Sequence, residues 1–355
     1  MWFQALRDTL AEKRIRRGLD RAYNGAAVET RDLESVRLVV FSDHHKGKRD
    51  GADDFQRAEA AYRAALGYYL AAEYTLCVLG DVEELWECKA KDVIAAYRST
   101  LELEKQFYSL DSGKNRYVRI FGNHDDQWEK RKSFDKHLGR FFPALPVHEG
   151  LRLMVRLGDE YIGEIFLVHG HQGSLGSDRF RFIAKPVVRY LWRPIQRRTG
   201  WRLNTPARSF SSRAKRDKAM HGWATEKKLL LIAGHTHKPV FLANPRSKMR
   251  AEELDELKRN KAPQDTIAEK HAELEWTRTL EEGSVRWPPC YFNTGCSSFD
   301  DGDCTGLEIV GQKIHLVRWP NDAGQPRRRP LCDADLPGVF KDCGCARVPI
   351  RGGGG

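Results

Sequence analysis

The chain has 355 residues, enough to bury a large core as two domains or as one domain with insertions. Its 41% hydrophobic and 31% charged residues exclude a disordered polypeptide, and no apolar run approaches the roughly 20 residues needed to span a bilayer. The net charge of +11 is concentrated in one stretch: residues 179–228 hold ten Arg and five Lys against Asp217 and Glu226, a balance of +13, so the remainder carries about −2.

Residues 1–34 read as an amphipathic helix and a polar linker, with Trp2, Phe3, Leu6, Leu10, Ile15 and Leu19 opposite a basic side. Such a helix packs on its own domain more often than on a membrane. The opening residues lack the apolar core and small-residue cleavage site of a secretory signal. The expected location is therefore cytoplasmic, with peripheral contact at the inner face of the membrane as the second option. From residue 35 to 319 the pattern is that of one domain. Strand-like runs at 36–41, 74–79 and 117–121 alternate with helical segments at 53–72 and 91–108; the first of these spaces Phe55, Ala58, Tyr62, Ala65, Leu66 and Tyr69 helically. After Pro143 and Pro146, β-type runs at 151–156 and 161–168 predict a second sheet with antiparallel elements.

Pro186, Pro194 and Pro206 divide the basic segment 179–228 into several short helices. A charged insertion at 245–285, between strands at 239–242 and 290–292, reads as a protruding helical hairpin. The Pro/Gly/Cys-containing tail, 320–355, is expected to be loosely ordered. Of the eight cysteines, Cys77 lies inside an apolar strand as a buried thiol, and Cys343-Gly344-Cys345 suits a metal or a disulfide. No second Cys-x-x-Cys pair completes a zinc knuckle.

Five short motifs carry the chemistry: Asp43-His44-His45, Gly80-Asp81, Gly122-Asn123-His124-Asp125, His169-Gly170-His171 and Gly234-His235-Thr236-His237. Each follows a β-type run, and ligands at strand ends converge on one edge of a sheet. Asp, Asn and His offer oxygen and nitrogen donors without thiolate, which suits Mn²⁺ first and also Fe or Zn²⁺. Seven ligands exceed the needs of one ion but suit two, with Asp81 as the shared carboxylate. Two ions roughly 3.5–4 Å apart hold a hydroxide between them and clamp the oxygens of a phosphoryl centre. His124, next to ligand Asn123, is placed to protonate a leaving group. His44 and His171 each sit beside a stronger ligand and are expected to stay out of the centre.

The series Asp43-x-His45, Gly80-Asp81, Gly122-Asn123-His124-Asp125, His169 and Gly234-His235-x-His237 resembles the calcineurin-like metallophosphoesterase superfamily, over residues 36 to about 318. The resemblance implies a four-layer α/β/β/α sandwich of two mixed sheets with helical insertions. It implies that Asp43, His45 and His237 bind one ion, that Asn123, His169 and His235 bind the other, and that Asp81 bridges them. His124 would be the general acid, and Glu84 falls where many members place a carboxylate that orients it. A narrower resemblance, to the UDP-2,3-diacylglucosamine pyrophosphatase family, rests on Ser42-Asp43-His44-His45, the stretch Gly80 to Trp86, Val168-His169-Gly170, the basic helical insertion and Gly234-His235-Thr236-His237. His124 and His171 depart from it, since that family typically has Arg and Asp at those places.

The reaction expected is hydrolysis of a phosphomonoester, phosphodiester or pyrophosphate by a hydroxide that bridges the metals. In the basic segment, Phe180, Phe182, Tyr190, Trp192, Trp201, Phe210 and Trp223 interleave with Arg and Lys. That composition suits an anionic, partly apolar phosphoester, an acidic membrane surface, or nucleic acid. It also suits a solvated cap. The segment joins two ligand motifs, so a lid over the site is the economical reading, with nucleic acid the lesser option. A non-catalytic scaffold on the same fold is the competing class.

Overall fold

The computed structural model describes residues 2–111, 113–173, 210–241, 288–299, 301–321, 324–345 and 348–349, with scattered positions between 251 and 274. Most of the expected basic cap before residue 210, and much of the charged insertion, lie outside the described residues.

The chain opens with helix α1 (Trp2–Asn24) and strand β1 (Ala27–Asp32). A βαβ run follows: β2 (Arg37–Phe41), α2 (Glu59–Ala71), β3 (Thr75–Leu79), α3 (Ala90–Ala96), α4 (Arg98–Lys105) and β4 (Tyr117–Ile120). Helix α5 (Arg131–His137) leads to β5 (Val147–His148), β6 (Gly150–Leu157) and β7 (Glu160–Val168). Next come α6 (Phe210–Lys227), β8 (Leu230–Ala233), β9 (Pro239–Phe241) and β10 (Tyr291–Thr294). The chain continues through β11 (Cys304–Val310), β12 (Lys313–Trp319), β13 (Arg329–Asp335), α7 (Leu336–Asp342) and β14 (Val348–Pro349).

Two seven-stranded mixed sheets result. One runs β1-β6-β7-β8-β10-β9, with β14 added to β7; the other runs β13-β12-β11-β2-β3-β4-β5. Strand alternation places them face to face. In β2 and β3, Leu38, Val40, Cys77 and Leu79 join the core shared with Leu167, Ile232 and Phe292 of the first sheet. Their neighbours Val39, Phe41, Leu76 and Val78 point the other way, into a core with Tyr62, Leu66, Tyr69 and Leu101 from α2 and α4. On the far side of the first sheet, Phe166 packs on Tyr23 of α1 and Trp223 of α6 at ring distances of 5.4 and 5.7 Å. Helices thus cover both outer faces, and the architecture is α/β with four layers.

Several details differ from the sequence-based expectations. The polar linker after α1 contains a strand: β1 alternates half-buried and exposed residues and pairs in parallel with β6. Its alternation is too polar to announce a strand, and its partner lies more than a hundred residues away. The helix expected at 91–108 breaks at Tyr97, which has φ −113° and is fully buried. Part of the tail expected to be loosely ordered forms a strand and a helix, Arg329–Asp335 and Leu336–Asp342. There β13 pairs with β12, and α7 buries Leu336, Val339 and Phe340, started by an Asp335 cap on the Gly338 N–H. The N-terminal helix buries Ile15, Leu19 and Ala22 on its own domain. Among the described residues no helix is long and apolar enough to cross a membrane.

Candidate metal centre

The parallel neighbours β2, β3 and β4 end side by side, as do β7 and β8 of the facing sheet. The residues just past those five ends are the five motifs. The loops are zipped together by the backbone: the Asp43 N–H donates to Gly80 O (3.1 Å) and the His45 N–H to Asp81 O (2.9 Å). Within the facing sheet, the Gly234 N–H donates to His169 O (2.9 Å), and across the sheets the His235 N–H donates to Asp43 Oδ2 (2.9 Å).

The backbone is strained where the motifs lie. Asp43, His45, Asp81, His235 and His237 all have φ between 51° and 69°. For residues with a Cβ this costs on the order of 1–3 kcal/mol each, and such strain gathers at functional sites. Glycine permits the close approach: at Gly80 a Cβ would lie 2.6 Å from the His169 ring, and at Gly122 it would collide with the Asp81 carboxylate.

Among the described residues three donor groups form: one joins His45, Glu84 and His124, and the other two consist of expected ligands alone. Asp43, His45 and His237 have donor atoms within 4.8 Å of one another, and so do Asp81, His169 and His235. Asp81 lies between them, with Oδ2 3.1 Å from His169 Nε2 and 3.8 Å from His45 Nε2. Its other oxygen accepts the His124 N–H at 2.8 Å, so one oxygen faces the cluster and one holds the loop. Histidine tautomers follow from partners that can only accept. His169 Nδ1 donates to Leu79 O (2.8 Å) and His45 Nδ1 to Glu84 Oε2 (3.0 Å), leaving Nε2 of each ring toward the centre. This is the arrangement of imidazoles oriented for a metal.

The donor set fits a cation on a further count. Asn123 Oδ1 and His235 Nδ1 are buried without a hydrogen-bond partner. Asp43 Oδ1 and His169 Nε2 also make no aligned hydrogen bond, although they lie 3.2 Å from His237 Nε2 and 3.1 Å from Asp81 Oδ2. Four of the seven candidate ligands therefore hold a buried atom whose desolvation is not offset, which a bound ion would offset.

Charge is rearranged accordingly. Burial pushes the Asp43 and Asp81 carboxyls up, but His237 and His169 beside the first, and His169 and His124 beside the second, hold both below the usual range. Burial opposes protonation of His169, yet Asp81 and Asp43 lift it to about 9. His124 is lifted to about 10, against its burial, by Glu84 and Asp81. His235 is driven well below the ordinary value by burial, with Arg216 and His169 adding to it.

His124 is held on two sides. Its Nδ1 lies 2.7 Å from Glu84 Oε2, and its ring stacks on Trp86 at 4.8 Å and 18°. Trp86 in turn donates its indole N–H to Asn123 O at 2.5 Å. Glu84 thus touches both a candidate ligand, His45, and the candidate acid, His124.

The two ambiguous histidines separate. His44 points into the outer core between Phe55 and Tyr62, at ring distances of 5.6 and 4.4 Å. His171 is 5.5 Å from the His169 ring and outside both ligand groups, and burial and His169 lower it to about 3.

Other residues around the centre were not singled out from the sequence. Asp125 accepts the N–H groups of Gly122 (2.6 Å), Val82 (2.9 Å) and Asp81 (3.3 Å), pinning two motifs with one carboxylate. Its place in the third motif was the available signal. Asn293 donates to Gly234 O (2.7 Å), and Thr294 meets Ser42 at 2.6 Å, both from a strand with no ligand motif. Arg216 of α6 donates to Gly170 O (2.7 Å) and Gln172 O (3.2 Å), so the described end of the basic segment reaches the fourth motif.

Beneath the centre lies a second set of buried charges. Lys46 pairs with Glu104, which also accepts Tyr117 Oη (2.9 Å) and Tyr62 Oη (3.3 Å). Arg119 pairs with Glu83, which accepts the Trp128 indole N–H at 2.8 Å.

Two facing mixed sheets whose strand ends bring Asp, Asn and His together define a metal-binding α/β class. The calcineurin-like phosphoesterase model matches residues 36–239, more than half of the chain, and the chain belongs to that family. No curated protein matches. Solved structures that the chain matches include a predicted phosphoesterase from Streptococcus pneumoniae TIGR4, 12% identical, with 83% of this chain and 97% of that one covered and a TM-score of 0.30. They also include Vps29 complexed with zinc from Entamoeba histolytica (13% identical; 85% and 99% covered; TM-score 0.34). Vacuolar Protein Sorting 29 from Cryptosporidium parvum is similar too (11% identical; 84% and 98% covered; TM-score 0.35).

Proposed function

We propose that this protein is a metal-dependent phosphoric ester hydrolase with a two-ion centre. Asp43, His45 and His237 would hold one divalent cation, Asn123, His169 and His235 the other, with Asp81 between them. When bound, such ions activate water and neutralise charge on a phosphoryl group. The observation that carries the reading is the set of buried donor atoms without aligned partners, on a strained backbone.

The chain's own residues supply proton transfer. Glu84 is acceptor-only and lies against His124 Nδ1, so the proton available for a leaving oxygen sits on Nε2. Trp86 fixes the plane of that ring by stacking. His124 is charged at neutral pH in the cation-free protein, and bound cations would bring it down toward the range useful for an acid. The basic residues of α6, with Arg216 tied to the fourth motif, favour an anionic substrate entering along that helix. This supports a pyrophosphate or lipid-bearing sugar nucleotide as the second, narrower reading.

The test is turnover of p-nitrophenyl phosphate, bis-(p-nitrophenyl) phosphate, nucleotides, oligonucleotides and UDP-sugars with and without acyl chains, each with added Mn²⁺. Hydrolysis that chelation abolishes, and that Asp81→Asn and His237→Ala lack, is expected. A protein with about two ions per chain by elemental analysis that leaves the whole panel intact would favour a non-catalytic scaffold.

A further inference from the structure

Helix α6 closes the basic segment, and two adjacent charged residues on it reach two different ligand motifs. Arg216 Nη1 donates to Gly170 O (2.7 Å) and Gln172 O (3.2 Å), the carbonyls on either side of His171. In the same turn the Gly170 N–H donates to Gln172 Oε1 (3.1 Å), so the chain leaving His169 is tied at three points. Asp217 Oδ1 accepts from Thr236 Oγ1 (3.3 Å), the residue between His235 and His237, and from Tyr291 Oη (2.7 Å). Asn293 closes that second network. Its amide donates to Gly234 O (2.7 Å) and meets Thr236 Oγ1 (3.2 Å) and Tyr291 Oη (3.1 Å).

We propose, on the two-ion reading above, that Arg216 and Asp217 are positioning residues for the metal centre. Arg216 holds the turn that carries His169, and Asp217 holds the turn that carries His235 and His237. Two observations set this apart from ordinary packing. The helix is docked by other residues: Ala219, Met220, Trp223 and Ala224 enter the core, and Asp20 of α1 receives the Trp223 indole N–H (3.0 Å) and pairs with Lys227 (2.9 Å). The turns, by contrast, need outside support. His235 and His237 have φ of 69° and 57°, and such conformations persist only where the surroundings over-determine them. Helix and turns are also in direct contact, since a Cβ at Gly170 would lie 3.4 Å from both Gly234 O and Met220 Sδ.

The two residues bear on the ions unequally. In the proposed assignment His169 and His235 serve one ion and His237 serves the other. Losing the hydrogen bonds of Arg216 therefore loosens one ion, whereas losing those of Asp217 loosens both. Among the described residues Asp217 joins none of the donor groups, so it acts on the ions through the imidazoles and not as a ligand. Removing an outer partner that orients a ligand typically weakens metal binding about 10–100-fold.

The test is titration of the metal-stripped full chain with Mn²⁺, followed by electron paramagnetic resonance without substrate. Arg216→Met should weaken one ion about 10–100-fold and replace the spin-coupled pair by a mononuclear signal at sub-saturating Mn²⁺. Arg216→Lys, which keeps a donor, should fall between it and the wild type. Asp217→Ala should weaken both ions, and Asp217→Asn, which keeps an acceptor oxygen for Thr236 and Tyr291, should restore them. Trp223→Phe removes the bond to Asp20 and is the control for helix docking: it should lower Tm and leave both affinities unchanged. Unchanged affinities in Arg216→Met and Asp217→Ala would overturn the proposal. So would equal weakening by Trp223→Phe, or an Asp217→Asn variant as weak as Asp217→Ala. A wild type that binds no Mn²⁺ would overturn the two-ion reading as well. Two bound ions, the expected losses in the variants and no hydrolysis of any phosphoester would sink the hydrolase reading alone.

Discussion

Two sets of buried charge lie back to back on the loops after β2 and β3, one residue out of step. His45 and Glu84 face the ligand cluster, whereas Lys46 and Glu83 face the network below it. Both sets are buried, and both mix acids with bases. They differ in completion. In the lower set each charge meets an opposite charge, with Glu83 Oε1 and Arg119 Nε the atoms left over. In the upper set, donors from four ligands lack aligned partners, and five ligands sit at positive φ. Closed networks hold a loop in place; an open one waits for something to bind. Burial or charge alone would not tell these two regions apart.

The comparison can be broken from the top first. His124→Ala should lower turnover by about 10²–10⁴-fold while leaving bound metal in place, read as kcat beside metal content. An unchanged rate would move His124 out of the chemistry and make its contact with Glu84 structural.

The lower region should respond in the opposite way. Arg119→Met leaves Glu83 buried opposite no guanidinium and should cost about 3–5 kcal/mol of stability. Denaturant unfolding measures the loss, and the folded fraction should still bind metal. A variant that kept its stability and lost the ions would erase the distinction between the regions.

The smallest effect sharpens the comparison through pH. His169 and His124 are raised to about 9 and 10, so in the cation-free protein their contribution to stability is complete below the unfolded imidazole value of about 6.5. It disappears as pH rises through 9 and 10. Asp43 and Asp81, held low, contribute above about 3.9 and lose that contribution only as pH falls further. With chelator present, Tm should therefore fall between pH 6.5 and 10. Saturating Mn²⁺ should remove the His169 share of the decline, because ligation requires the deprotonated ring. Equal pH profiles with and without the ion would show that His169 is not its ligand.

Most of the centre was legible in the sequence because its ligands sit at the ends of apolar strands with glycine beside several of them. An apolar run stops abruptly where the chain must leave the core, and Asp or His at that point is conspicuous. What escaped depends on distant partners. Strand β1 is half polar and exists through β6; β13 reads as a charged, proline-bearing stretch and exists through β12. Asp125 looked like the end of a motif, and only the folded backbone shows three N–H groups aimed at it. Asn293 and Thr294 have no local signal, since their role is to meet loops from strands far away in the chain.

The sheets that supply the ligands are interlaced along the chain. One takes β1, then β6 to β10 and β14; the other takes β2 to β5 and β11 to β13. Carboxylates come from the second and late histidines from the first, so a nascent chain stopped after β5 owns Asp43, Asp81 and Asn123 but neither His169 nor His235. Such a fragment offers mostly hard oxygen donors, a weak and unselective trap for transition metals. Selectivity arrives with the last imidazoles. If the proposed centre holds its ions, the order of synthesis would delay tight loading until both sheets exist, and a filled centre would report completed folding.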